Sequence, residues 1–294
     1  MRHVLAILVG SLLWGLAWLP VKGLSGQGLS PLAITLTGYG AAALALLPSL
    51  LGERRRWWSR RPVLAAIAVS GAVWNLCFVA AMAAGEVSRL ILLYYLSTGW
   101  AIVGGRLFLG EQLDRRRLTS VLLAFGGAVL VLAGAGLGRP PGTSADLLAV
   151  VAGVAHATTN LLFRLADDIP VTAKNGAMFG GTAVAGITLL AVGAGEVPAV
   201  SGSLWLAAAA FGLGWVMVAD SLVQYGVSHL PASRSAVLVL SELPCTILSA
   251  AVLAGDRLAP NELGGGAMIV MATLNELFRA VPAAEGEVVA EEGA

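Results

Sequence analysis

The sequence predicts an all-α integral membrane protein with ten transmembrane helices in two five-helix inverted repeats. Three observations point there: the composition, ten apolar runs of bilayer length, and a register that lays one half of the chain on the other. Of 294 residues, 57% are hydrophobic and 12% charged, against roughly 25% charged in a soluble domain. One soluble core cannot hide that excess, so the apolar surface must face an apolar solvent.

The ten runs lie near residues 4–24, 31–51, 63–84, 88–109, 118–136, 147–165, 175–194, 203–228, 235–254 and 262–279. Each is long enough, at about 1.5 Å rise per helical residue, to cross a hydrocarbon core roughly 30 Å thick. The first follows Met1-Arg2-His3 and is read as a span, because it is long, lacks a small-residue cleavage site and leads into nine more. Between the second and third runs stand Arg54, Arg55, Arg56, Arg60 and Arg61, with Trp57 and Trp58 beside them as interfacial anchors. Arg115, Arg116 and Arg117 precede the fifth run. With a cytoplasmic N-terminus, all 18 Lys and Arg fall inside except Lys22, Arg89, Arg139 and Arg257, which predicts both termini in the cytoplasm. The acidic stretch at 281–294 reads as a disordered cytoplasmic tail.

A shift of 145 residues puts Ser88 on Ser233, Arg89 on Arg234 and Gly110 on Gly255, and pairs the third, fourth and fifth runs with the eighth, ninth and tenth. Residues 1–140 and 141–280 then form two repeats. Five spans each oblige the second to sit upside down relative to the first, an arrangement that puts a substrate site near the midplane between them.

Tyr94-Tyr95-Leu-Ser-Thr-Gly-Trp-Ala-Ile leading to Leu109-Gly-Glu-Gln-Leu, and Ser241-Glu-Leu-Pro-Cys-Thr leading to Ala254-Gly-Asp-Arg-Leu, resemble the drug/metabolite transporter superfamily, in its EamA-like ten-helix form, over nearly the whole chain. Within it the chain is most similar to the YddG type of aromatic amino acid exporter. Two departures stand out: Thr98 or Gly99 replaces the usual proline of the fourth span, and Pro244 follows Glu242 by two residues instead of one. The resemblance implies a bacterial inner-membrane exporter of aromatic or other hydrophobic amino acids, working by alternating access without a cofactor and as a monomer.

Polar groups inside a bilayer are costly and face a bundle interior or a watery cavity. Near mid-span these are Asn75, His156, Asn160, Asp220, Gln224 and Glu242. His156 and Asn160 are four apart, as are Asp220 and Gln224, so each pair shares a helix face. Asn75, Asn160 and Gln224 serve equally well as helix–helix hydrogen bonders. Trp14, Trp18, Tyr94, Tyr95 and Trp100 form an aromatic set suited to flat or apolar substrates, or to cations over ring faces. The expected substrate-binding residues are therefore Trp14, Trp18, Asn75, Tyr94, Tyr95, Trp100, His156, Asn160 and Glu242, with Asp220, Gln224 and Pro244 as gate or coupling residues. An ionised Glu242 facing hydrocarbon would cost at least a few kcal/mol, which implies water, a partner or a proton. Pro244, lacking an N–H, is expected to free the Leu240 carbonyl beside it.

The basic residues form no domain for nucleic acid. Cys77 and Cys245 read as core-filling thiols, and no metal is implied. Neither His-Glu-x-x-His nor a phosphate-binding glycine loop is present, which argues against an intramembrane enzyme. Efflux of cationic aromatic drugs remains a rival to amino-acid export.

Overall fold

Backbone groups in hydrocarbon have only each other to bond, so apolar runs must fold as helices. The computed structural model describes residues 1–84, 93–112, 114–132, 144–193, 196–254 and 259–278, and among these every regular element is helical. The expected tail at 281–294 and the repeat matches at Ser88, Arg89 and Gly255 lie outside the described residues.

The first run is broken in two, α1 (Arg2–Leu16) and α2 (Trp18–Ser25). Pro20 has no N–H for the Leu16 carbonyl, and Ala17 N–H turns back to Trp14 O at 3.0 Å. α3 (Pro31–Gly52) starts on a Ser30 cap, whose hydroxyl accepts Ala33 N–H at 3.2 Å, with Pro31 in the first turn. The arginine cluster occupies a short helical turn leading into α4 (Arg61–Ala84). α5 (Ser97–Leu109) follows a break at Leu96, and α6 (Arg115–Leu132) closes the first half.

The second half runs α7 (Ser144–Leu165), α8 (Val171–Ala191), α9 (Gly202–Phe211), a π turn at Gly212–Val216, α10 (Met217–His229), α11 (Ala232–Val239) and α12 (Glu242–Ser249). A second π turn, Ala250–Ala254, extends α12, and α13 (Pro260–Leu277) ends the described chain. Six helical stretches among the described residues are long and apolar enough to cross a membrane: Arg2–Ser25, Pro31–Gly52, Arg54–Ala81, Ser144–Leu165, Gly202–His229 and Ala232–Leu253. Leu44, Phe108, Leu206 and Val252 are 71–80% exposed, as lipid-facing side chains should be.

α1 packs on α10 and α12, α4 on α7 and α8, α3 on α8, and α6 on α13. Tails of lipid are as apolar as leucine, so close backbone approach and polar contacts must hold such helices together. The nearest approach of α3 to the π turn is glycine on glycine: a side chain on Gly212 would strike the Gly38 backbone. At the arginine-rich end, Arg234 Nη2 donates to Glu276 O at 2.6 Å and its Nε stands 3.5 Å from Glu276 Oε2, tying α11 to α13. Glu111, just past α5, accepts Ala232 N–H at 2.7 Å and so caps α11.

Candidate binding cavity

A cavity of about 420 Å³ lies between the two halves. It extends toward the end of the bundle where α2 gives way to α3, with Val21 and the exposed Pro31 on its wall. α3 carries the chain from there to the arginine cluster at its other end. Ile34, Phe78, Phe211, Val216, Val223 and Val239 make the walls mostly apolar.

Polar side chains collect on this wall from four helices: Ser11 (α1), Asn75 (α4), His156 (α7), and Asp220 with Gln224 (α10). Glu242 joins them from the first turn of α12. Glycines bring the broken segments close enough. Gly153 lets α7 pass the Tyr94 backbone, where a Cβ would sit 2.7 Å from Tyr94 O. The Tyr94 ring then stacks on His156 at 5.3 Å between centroids, and Trp74 covers the imidazole's surroundings at 4.3 Å. Likewise, Gly15 lets α1 approach Glu242, where a Cβ would meet Glu242 O at 3.0 Å.

Two kinds of polar atom occur here. Some are paired: Asn75 Nδ2 donates to Thr182 Oγ1 at 3.0 Å, and Gln224 Nε2 donates to Asn160 Oδ1 at 3.0 Å. Asn160 Nδ2 in turn stands 3.1 Å from His156 Nε2. Others are buried with no protein partner: Ser11 Oγ, His156 Nδ1, Asp220 Oδ2 and Gln224 Oε1. A buried polar group without a hydrogen bond is costly. All four belong to residues of the cavity wall.

Of the aromatic residues singled out in the sequence, Trp14 and Tyr94 line the cavity while Trp18, Tyr95 and Trp100 do not. The break at Ala17 separates Trp18 from Trp14, and Trp18 Nε1 donates instead to Ser249 Oγ at 3.0 Å. Tyr95 is one residue round the helix from Tyr94 and packs with Val121, Ala124 and Ile269. Trp100 lies beyond the break at Leu96, on α5, and is 46% exposed. Asn160 stands behind the main cavity, bonded to two of its lining residues.

Pro244 is buried but off the cavity wall. The expectation for Leu240 also needs correction. The helix does break at Leu240–Ser241, yet the Leu240 carbonyl is not free: it accepts Leu243 N–H at 3.1 Å. A tight turn replaces the missing helical bond. Ser11, Tyr39, Phe78 and Phe211 line the cavity without having been singled out in the sequence. A lone serine or phenylalanine in an apolar run carries no signal of which way it faces. Among the described residues no group of three or more His, Cys, Asp or Glu could hold a metal ion.

A model of the EamA-like transporter family matches residues 1–133 and again 143–275. A protein of Streptantibioticus cattleyicolor, described as a probable terminal-alkyne amino-acid exporter, is 26% identical over 278 residues, spanning 91% of this chain and 90% of its own. A solved crystal structure superposes with a TM-score of 0.74 at 18% identity, covering 93% of this chain and 95% of its own, a likeness of fold.

Proposed function

The chain belongs to the EamA-like transporter family and is a multi-pass membrane protein, and on that premise we propose that it exports aromatic or other apolar amino acids by alternating access through the central cavity. The observation that carries this is the composition of that cavity: apolar and aromatic walls, with Ser11 Oγ, His156 Nδ1, Asp220 Oδ2 and Gln224 Oε1 buried and unpaired. Such a site suits a small molecule with a polar head and an apolar body. The amino-acid exporter relative agrees with that chemistry. The family and that relative's name point to a transporter rather than an enzyme.

The path is read as an inverted repeat of residues 1–140 and 141–280, ten spans in all. The packing supports this reading. Exchanging the halves turns the α1–α10 contact into α4–α7, and α1–α12 into α5–α7, while α3–α8 and α6–α13 map onto themselves. The helix breaks at Leu96 and at Leu240–Ser241, in corresponding places. The two family matches divide the chain near the same point.

With the arginine-rich end in the cytoplasm, as the distribution of Lys and Arg favours, the Pro31 end of the cavity faces outward. The membrane is then a bacterial inner membrane, both termini are cytoplasmic, and the chain belongs with aromatic amino acid exporters of the YddG type. Efflux of cationic aromatic drugs is the second reading, favoured by the two carboxyl groups, Asp220 and Glu242, on a wall that also carries Trp14 and Trp74.

Flux through proteoliposomes, compared for tryptophan, phenylalanine, serine and aspartate and challenged with cationic dyes, separates the readings. Tryptophan and phenylalanine are expected to move fastest. Equal rates for all four, or movement of aspartate alone, would refute apolar amino-acid export, and a preference for the dyes would establish drug efflux in its place.

A further inference from the structure

The hydrogen bonds behind the cavity set which way round a substrate must sit. This step rests on the reading of the cavity as an amino-acid site. Gln224 Nε2 donates to Asn160 Oδ1, which leaves Asn160 Nδ2 as the group facing His156 Nε2 at 3.1 Å. An amide NH2 can only donate, and a neutral imidazole has one donor nitrogen and one acceptor. His156 Nε2 therefore accepts, and the ring proton sits on Nδ1.

That Nδ1–H is buried, has no partner, and belongs to a residue on the cavity wall. Having turned its NH2 toward Asn160, Gln224 leaves Oε1 unpaired, and Asp220 Oδ2 is unpaired as well. All three side chains are more than nine-tenths buried, at 8%, 1% and 1% exposure for His156, Gln224 and Asp220. Ser11, 1% exposed, adds a hydroxyl that can donate. The lining residues thus offer two donors, His156 and Ser11, and two acceptors, Asp220 and Gln224.

We infer that the cavity binds a zwitterionic α-amino acid in one orientation, its carboxylate on His156 Nδ1–H and its ammonium on Asp220 and Gln224. Asn160 is a positioning residue: it stands off the cavity and fixes the imidazole tautomer. The Tyr94 and Trp74 rings pack against the imidazole. A ligand lacking its carboxylate leaves the His156 donor unpaired, and one lacking its ammonium leaves two acceptors unpaired. Sites built to bond a polar group discriminate strongly against analogues without it.

The test uses the full chain in lipid nanodiscs with radiolabelled phenylalanine as the bound probe. Phenylethylamine, which has no carboxylate, and 3-phenylpropionate, which has no ammonium, are expected to displace it at least about tenfold less well than unlabelled phenylalanine. Nitrogen-15 NMR of histidine, with the His156 signal assigned through His156→Gln, should show the wild-type ring protonated at Nδ1. Asn160→Leu should abolish that single-tautomer signature and narrow the gap between phenylalanine and phenylethylamine. Phenylethylamine matching phenylalanine on the wild type, or a wild-type ring protonated only at Nε2, would overturn the orientation and leave amino-acid export standing. Failure of phenylalanine itself to bind would overturn both.

Discussion

Lys174 Nζ stands 2.8 Å from Ser228 Oγ, and neither side chain reaches solvent. The same ammonium donates to Phe163 O and Ala166 O, both at 2.9 Å, at the last turn of α7. One cation at the arginine-rich end thus ties α7, α8 and α10 together and offsets the negative end of the α7 dipole. Lys174→Met would remove three buried hydrogen bonds donated by the ammonium, an expected loss of roughly 2–4 kcal/mol. Thermal unfolding in detergent should show a midpoint several degrees lower, and an unchanged midpoint would contradict this role.

Gly212 and Gly38 set the spacing of α3 against the π turn. A methyl group at 212 would meet the Gly38 backbone, whereas one at Gly40 on the same helix meets nothing within 4 Å. Gly212→Ala is expected to destabilise by about 1–3 kcal/mol, the usual cost of overpacking. Gly40→Ala should be close to neutral. Equal stability of the two variants would show that the contact is not limiting.

Both termini should lie in the cytoplasm. Reporter fusions at each end measure this directly. Termini on opposite sides would contradict the ten-span reading, because an even number of crossings returns the chain to its starting side.

Much of the fold was legible because spans are long and lipid tolerates few charges: the second, sixth, eighth and ninth apolar runs all appear as helical stretches able to cross a membrane. The cavity was only partly legible. The i, i+4 pair of His156 and Asn160 predicts a shared face, and an unbroken α7 preserves it. Trp14 and Trp18 have the same spacing, but the break at Ala17 resets the helix between them. Tyr94 and Tyr95 differ by one residue and so point to different sides, which adjacency conceals. Lys174 carried no signal of its task either, since a lysine near a span end is most simply read as an interfacial charge.

Glu242 lines the cavity with Tyr94 and Asp220. Glu242→Gln keeps the shape and removes ionisation. If the carboxyl takes up and releases a proton during the cycle, flux should fall severalfold and its dependence on pH, between about 5 and 8, should flatten while folded yield is preserved. Wild-type flux with a wild-type pH profile would leave Glu242 as a packing residue.

The central claim is that this chain alone moves an apolar amino acid across a membrane. Liposomes containing only the purified protein and loaded with labelled phenylalanine should release it faster than protein-free liposomes, saturably, and more slowly when unlabelled tryptophan is added on the same side. Release at the protein-free rate, from liposomes in which the protein is shown to be folded, would contradict it.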